Sequence, residues 1–265
     1  MIALVALIAT ATPSASLADI GPVSIAFQDG GLGAARSAVP RSEVGFTGLG
    51  FLLADFDNFY GDLKARALLS GRWAMGELEL SADVEVLRAE LVISSLSAGR
   101  VGLGTTAIGA TYRINGTSGI KGAADWDLAV TARIALPTDF GAREHGAPFG
   151  IDYGALISWR PRDDVEVHGH LLGLASAQIS DGPTFGRIGF TLGGGASWSP
   201  LSWLTAGADL GAQLAYDDAL DRLALAIALR FRVSDAVAID LSASKPLAGE
   251  DRTLAVGALG VRVGF

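Results

Sequence analysis

Glu166, His168 and His170 stand at alternate positions of the stretch Val165-Glu-Val-His-Gly-His170. On an extended strand all three point the same way, and two imidazoles with a carboxylate are a partial site for zinc, nickel or copper. A complete site needs ligands from neighbouring strands and no spacing supplies them, so no metal is expected and the three read as polar lining. The remaining histidine, His145, is followed by Gly146 and Ala147, with no serine beside it. A hydrolase needs its base within hydrogen-bond reach of its nucleophile, and this spacing offers none; the chain is read as not an enzyme. Gly102-Leu-Gly104 resembles the opening of a dinucleotide fingerprint, but Ala107 stands at the third position and no strand-helix-strand unit surrounds it. No cofactor is expected. Asn115-Gly-Thr117 is a formal glycosylation sequon that reads as a turn.

The charged residues carry the rest of the chemistry. Glu77, Glu79, Asp83 and Glu85 recur with period two, while Arg66, Arg113, Arg133, Arg187 and Arg262 are spread along the chain. If they share one interior they either form opposed walls whose transverse field selects by size and dipole, or pair across a closed interior and stabilise it. Both readings stay open at this point.

Composition bounds the elements that hold these groups. The chain has 265 residues, 50% hydrophobic but only 18% charged, with mean hydropathy +0.40, 35 glycines and no cysteine. A soluble domain carries about a quarter charged residues, so this one is short of solvating side chains, and disorder is excluded. Zero cysteines exclude a disulfide scaffold, a cysteine zinc cluster and a thiol nucleophile. A net charge of -8 offers no basic stripe for a phosphate backbone, so nucleic acid is not a partner.

Residues 2–10 read IALVALIAT, too short for a spanning helix of about 20 residues. Small residues follow, and Ser16-Leu17-Ala18 fits a signal-peptidase site; residues 1–18 are expected to be a signal peptide despite the missing basic residue near Met1. Residues 19–43, rich in Gly and Ala, are expected to be a periplasmic tail or a plug of an interior. No later stretch is long and apolar enough for a helix to cross a bilayer.

Alternation dominates the rest of the chain. Leu223, Leu225, Ile227, Leu229, Phe231 and Val233 share one parity, and Ala224, Ala226, Ala228, Arg230 and Arg232 the other. On a helix the arginines would interrupt the leucine stripe; on a strand each set is consistent. Comparable runs, separated by turn signals such as Asn115-Gly116 and Ser199-Pro200, predict strands near 44–54, 62–71, 77–88, 101–114, 124–136, 149–160, 164–177, 185–198, 203–216, 222–233, 235–245 and 252–265. Globular strands average about 5 to 6 residues; these are about twice as long.

Residue size and charge decide which face is outside. One parity is nearly pure Leu, Val, Ile, Ala and aromatic. The other is Gly, Ala, Ser and Thr with single charges, poor as a solvated exterior and suited to a crowded polar interior. In hydrocarbon every backbone donor needs a partner, so such strands must close without edges. Slipping one by a residue would turn its arginine toward acyl chains at about 2 to 4 kcal/mol near the midplane. The expectation is an all-β, transmembrane, antiparallel up-and-down barrel of about twelve strands over residues 44–265. Its interior would be lined by Arg66, Glu77, Glu79, Asp83, Glu85, Arg113, Asp127, Arg133, Asp152, Glu166, His168, His170, Arg187, Asp209, Asp240 and Arg262. If the carboxyl end is periplasmic, all five tryptophans, Trp73, Trp126, Trp159, Trp198 and Trp203, fall at that rim. With Phe231 and Phe265 they read as the aromatic girdle that bilayer interfaces favour.

The last stretch, Leu254-Ala-Val-Gly-Ala-Leu-Gly-Val-Arg-Val-Gly-Phe265, has apolar residues at alternate positions and ends on phenylalanine. It resembles the C-terminal strand of bacterial outer-membrane β-barrels. That resemblance implies an outer-membrane location, the lipid bilayer as partner, and recognition of the Phe265 strand by the barrel-assembly machinery. The stretch Gly102-Leu-Gly-Thr-Thr-Ala-Ile-Gly-Ala-Thr-Tyr-Arg113, with Ala135-Leu-Pro-Thr138, is similar to the transporter-like barrels of the phenol-degradation meta-pathway family, which implies passage of small, often apolar molecules. Thr105 and Asp139 stand where that family usually has an acidic residue and a glycine. The function expected is a passive pore for a small-molecule solute; the alternatives are a non-conducting structural or surface-interaction barrel and, remotely, a lipid hydrolase like outer membrane phospholipase A.

Overall fold

The computed structural model describes residues 38–55, 60–92, 97–116, 125–136, 138, 147–179, 185–215, 222–249 and 253–265. The expected signal peptide, most of the segment after it, and His145 lie outside the described residues. The elements are β1 (Glu43–Asp55), β2 (Tyr60–Met75), β3 (Leu78–Val92), β4 (Ser97–Gly102), β5 (Thr106–Gly116), β6 (Asp125–Leu136) and β7 (Ala147–Arg162). They continue with β8 (Val165–Ile179), β9 (Phe185–Leu201), β10 (Leu204–Ala215), β11 (Arg222–Arg232), β12 (Val237–Gly249) and β13 (Thr253–Gly264). Apart from β4 and β5, which do not pair with each other, each strand pairs antiparallel with its sequence neighbours, and β1 pairs with both β2 and β13, so the sheet closes on itself. Both β4 and β5 pair with β3. They are two pieces of one stave, and the result is a closed 12-strand barrel.

The period-two pattern determines which way each residue faces. Leu225, Ile227 and Leu229 are exposed on the outer surface while Ala224, Ala226, Ala228 and Arg230 are buried inside. The same holds in β6, where Trp126, Leu128, Val130 and Ile134 face out and Asp127, Ala129, Thr131, Arg133 and Ala135 face in. Gly76 takes φ of 64° in the turn joining β2 to β3, the left-handed conformation that tight hairpin turns demand and glycine supplies without strain.

Proline sits where the ladder slips. Register shifts fall beside Pro161 in β7, beside Pro200 at the end of β9, and opposite Pro246 of β12. A residue without an N–H cannot serve a regular ladder and is accommodated at bulges and strand ends. Ser199-Pro200 is therefore not the turn that the dipeptide predicts. Strand β9 continues through it, and the turn is Ser202-Trp203.

The single strand expected at 101–114 is interrupted at 103–105. The Glu85 side chain fills the space there, so that a Cβ on Gly104 would lie 2.1 Å from its carboxylate. That carboxylate accepts the Thr105 N–H at 3.3 Å, and the Gly104 N–H donates to the Glu85 carbonyl at 2.9 Å. The Glu85 carboxylate takes the Thr105 N–H out of the ladder, while the Gly104 N–H and the Thr105 carbonyl stay bonded to the Glu85 backbone.

Candidate functional site: the barrel interior

The inward row is not divided into an acidic and a basic wall. Arginines and carboxylates of nearby strands meet one another, the paired arrangement of the two that the charges allowed. From β2 to β11 across the closure, Arg72 lies 3.7 Å from Glu43, Glu43 is 2.7 Å from Arg262, and Arg262 donates to Asp240, which Arg230 grips through two hydrogen bonds of 2.7 and 3.0 Å. On the other side Arg133 bonds Asp152 of the next strand at 3.0 Å and reaches over β5 to Asp83 at 3.5 Å. Asp127, buried, lies between Arg113 at 3.3 Å and Arg160 at 2.9 Å, and Arg66 lies 3.4 Å from Glu85. Buried charges persist only when paired and hydrogen-bonded, and adjacent strands bring the two signs within reach.

Glu77 departs from the expected lining. It occupies the turn between β2 and β3, exposed, where Arg113 grips its carboxylate with Nε and Nη2. The row on β3 begins at Glu79, because the turn takes the residue that alternation assigns to the strand. The hydrogen bond from Arg113 holds the Glu77 carboxyl below its ordinary range. Arg187 lies in β9 opposite Ser176, and its side chain is outside those described.

Glu166, His168 and His170 are all buried on the inward face of β8. His168 meets Asp209 of β10, hydrogen-bonding through Nε2 although β9 lies between the two strands. The register explains the contact: His168 and Asp209 are both partners of Gly195. A Cβ on Gly195 would stand 2.3 Å from the Asp209 carboxylate, and one on Gly193 would stand 2.5 Å from the His170 ring. The glycines of β9 let side chains from either side cover them. Among the described residues no group of three or more potential ligands is arranged to hold a metal ion.

Parity alone would have found Arg230, which alternates with leucines. Glu43, Arg72 and Arg160 lie at strand ends, where alternation fades. Apolar groups also enter the interior: Leu156 and Leu172 are buried with Ala129, and Leu49 packs on Val256 beside Leu68 and Ala258. Sequence pattern hides these because apolar residues occupy both parities there, as in Leu171-Leu172.

The tryptophans gather at the end of the barrel that carries the turns at 76–77, 163–164 and 202–203 and the carboxyl terminus. Trp126 and Trp159 are register partners and stack at 5.3 Å, and Trp203 stacks on Phe231 at 6.4 Å. Trp198 donates its indole N–H to Asp164 at 3.1 Å. Trp73 is exposed, and Phe265, half-buried, ends the chain with its N–H bonded to the Ser42 carbonyl at 3.2 Å.

No family model matches the sequence, and no curated protein matches it. Solved structures do. The chain is similar to the COG4313 outer membrane channel from Pseudomonas putida F1, with TM-score 0.61 and 12% identity over 86% of this chain and 96% of that one. It is similar to the KdgM porin in complex with disordered oligogalacturonate, with TM-score 0.51 and 15% identity over 84% and 99%. It is also similar to the translocator domain of the autotransporter NalP from Neisseria meningitidis, with TM-score 0.50 and 13% identity over 85% and 88%. What these share with the chain is the transmembrane β-barrel fold.

Proposed function

We propose that the chain is an outer-membrane channel through which small solutes pass passively. The observation that carries this reading is the inside-out distribution of side chains on a closed sheet, apolar outside and ionic within. Residues 1–18 act as the signal peptide, 19–43 as the periplasmic or interior segment, and 44–265 as the barrel. The five tryptophans with Phe231 and Phe265 anchor the periplasmic interface, and the Phe265 strand is what the barrel-assembly machinery engages. The likeness to porins and to an outer membrane channel supports the reading at the level of fold.

The solute path runs along Arg66, Glu79, Asp83, Glu85, Arg113, Asp127, Arg133, Asp152, Glu166, His168, His170, Arg187, Asp209, Asp240 and Arg262. Because neighbouring signs neutralise each other, the path carries little net field and discriminates by size and polarity more than by charge. Leu156, Leu172, Leu49 and Val256 are buried behind it. The likeness of the Gly102 to Arg113 stretch is what supports kinship with the phenol-degradation meta-pathway barrels and a small, weakly polar solute.

A second reading, a non-conducting structural barrel, draws on the near-complete burial of the inward side chains, with Asp127 and Asp152 each 1% exposed. Single-channel recording in planar bilayers separates the two. Reproducible current steps with weak preference between potassium and chloride are expected. Absence of steps from protein that shows the heat-modifiable gel mobility of a folded barrel would leave the structural reading.

A further inference from the structure

The residues just before β1 turn into the barrel. Ala38 has no exposed surface and Val39 is buried. Ala38 packs on Ala129 of β6, Leu156 of β7 and Leu172 of β8, and its N–H donates to Ser158 Oγ of β7 at 3.2 Å. In the closed ring β7 and β8 lie across from β1, so the five residues from Ala38 to Ser42, which extend to at most about 17 Å, cross the bore. Arg41, next to the root, is held from two sides. Its N–H donates to Glu79 of β3 at 2.9 Å, and its guanidinium lies 4.0 Å from Glu166 of β8. Ser42 secures the root, its Oγ accepting the Ala74 N–H at 3.1 Å and its carbonyl the Phe265 N–H at 3.2 Å.

The anchors are graded. At the root, Ser42 sits between β2 and the last residue of the chain, both part of the wall. At the other end of the segment, Ala38 is seated by one methyl group and one neutral hydrogen bond, whose net contribution is modest. Val39, buried beside Ala38, belongs to the same seat, and a segment rooted in the wall at Ser42 and seated on the opposite wall is built like a strap.

We propose that Ala38–Ser42 is an autoinhibitory strap: seated against Ser158 and Leu156 it restricts the half of the bore nearer the carboxyl terminus, and release of Ala38 from that seat opens that half to solute. This rests on the channel reading above. The Glu79 and Glu166 carboxylates both face the strap's Arg41.

The test uses the full chain with Ala38→Cys and Ser158→Cys. The sequence has no cysteine, so a single disulfide forms if Ala38 sits against β7. Single-channel recordings in potassium chloride are expected to show switching between a low and a high level in the wild type and in the reduced pair. The oxidised pair is expected to stay at the low level. Ala38→Asp, which drives a carboxylate into the apolar seat, is expected to raise the time at the high level several-fold.

Three results overturn the strap. The first is failure of the two cysteines to cross-link in barrel shown to be folded by its heat-modifiable mobility. The second is identical conductance of the oxidised and reduced pairs. The third is Ala38→Asp indistinguishable from wild type. In these cases current steps, if present, leave the channel reading standing. Folded protein in which neither the reduced pair nor Ala38→Asp conducts overturns both.

Discussion

From β11 through β2 the interior wall is a relay of full charges, Arg230, Asp240, Arg262, Glu43 and Arg72, each within 3.7 Å of the next. From β8 to β10 the wall carries Glu166 and two imidazoles on one side and Asp209 on the other, with His170 and Asp209 laid over the glycines of β9. The first wall uses neighbouring strands to bring opposite signs together. The second removes the side chain of the middle strand so that the outer two can meet. Both bring buried polar groups together, but they fail differently: the relay fails when a charge loses its partner, the glycine wall when a gap is filled.

Asp240→Ala tests that contrast with the largest effect. Both Arg230 and Arg262 lose their shared acceptor, and breaking a buried ion pair by removing one side costs about 3 to 5 kcal/mol. Denaturant unfolding in detergent micelles is expected to show a loss toward that range. A loss under about 1 kcal/mol would mean that water reaches the relay freely.

A smaller loss is expected at the glycine wall. Gly195→Ala places a methyl group 2.3 Å from both the Asp209 carboxylate and the Ala208 carbonyl, displacing the bond to His168. Overpacking of this kind costs about 1 to 3 kcal/mol. Gly211→Ala on β10, with nothing within 4 Å of the added Cβ, is the matched control and should move the unfolding midpoint little. Equal effects at the two glycines would remove the distinction between the walls.

The smallest effect belongs to the rim, where the Glu77–Arg113 pair stands outside both walls. Bonding to Arg113 holds the folded Glu77 carboxyl below its ordinary value of 4.5. The unfolded state therefore takes up protons first as pH falls. The pair's contribution is full above the unfolded value and is lost as pH drops through the folded one. Glu77→Gln should lower melting temperature slightly at pH 7, and the gap to wild type should close in acid. A gap that stays constant down to about pH 3, below the ordinary carboxylate range, would show that the pairing does not titrate.

The contrast also shows what could be read from residues alone. Outward and inward faces of β6 and β11 follow from strict alternation, and the strand positions are close to those observed because turn residues punctuate them. The meeting of His168 with Asp209, 41 residues apart, depends on register across an intervening strand, which periodicity does not carry. The same limit applies to the charges: sequence placed Arg133, Asp152 and Asp83 on inward faces, but whether they oppose or pair is a matter of which strands adjoin. The break at 103–105 and the seat of Ala38 were hidden because each depends on one distant side chain, Glu85 in one case and Ser158 in the other.

Fold, lining and channel all depend on the direction each parity faces, and cysteine scanning of β11 measures it most directly. Single cysteines at 225 through 229, in a chain that has none of its own, would carry a fluorophore in protein reconstituted into vesicles containing brominated lipid. Strong quenching is expected at 225, 227 and 229 and weak quenching at 226 and 228. Uniform quenching, or the reverse alternation, would contradict an apolar exterior around an ionic interior.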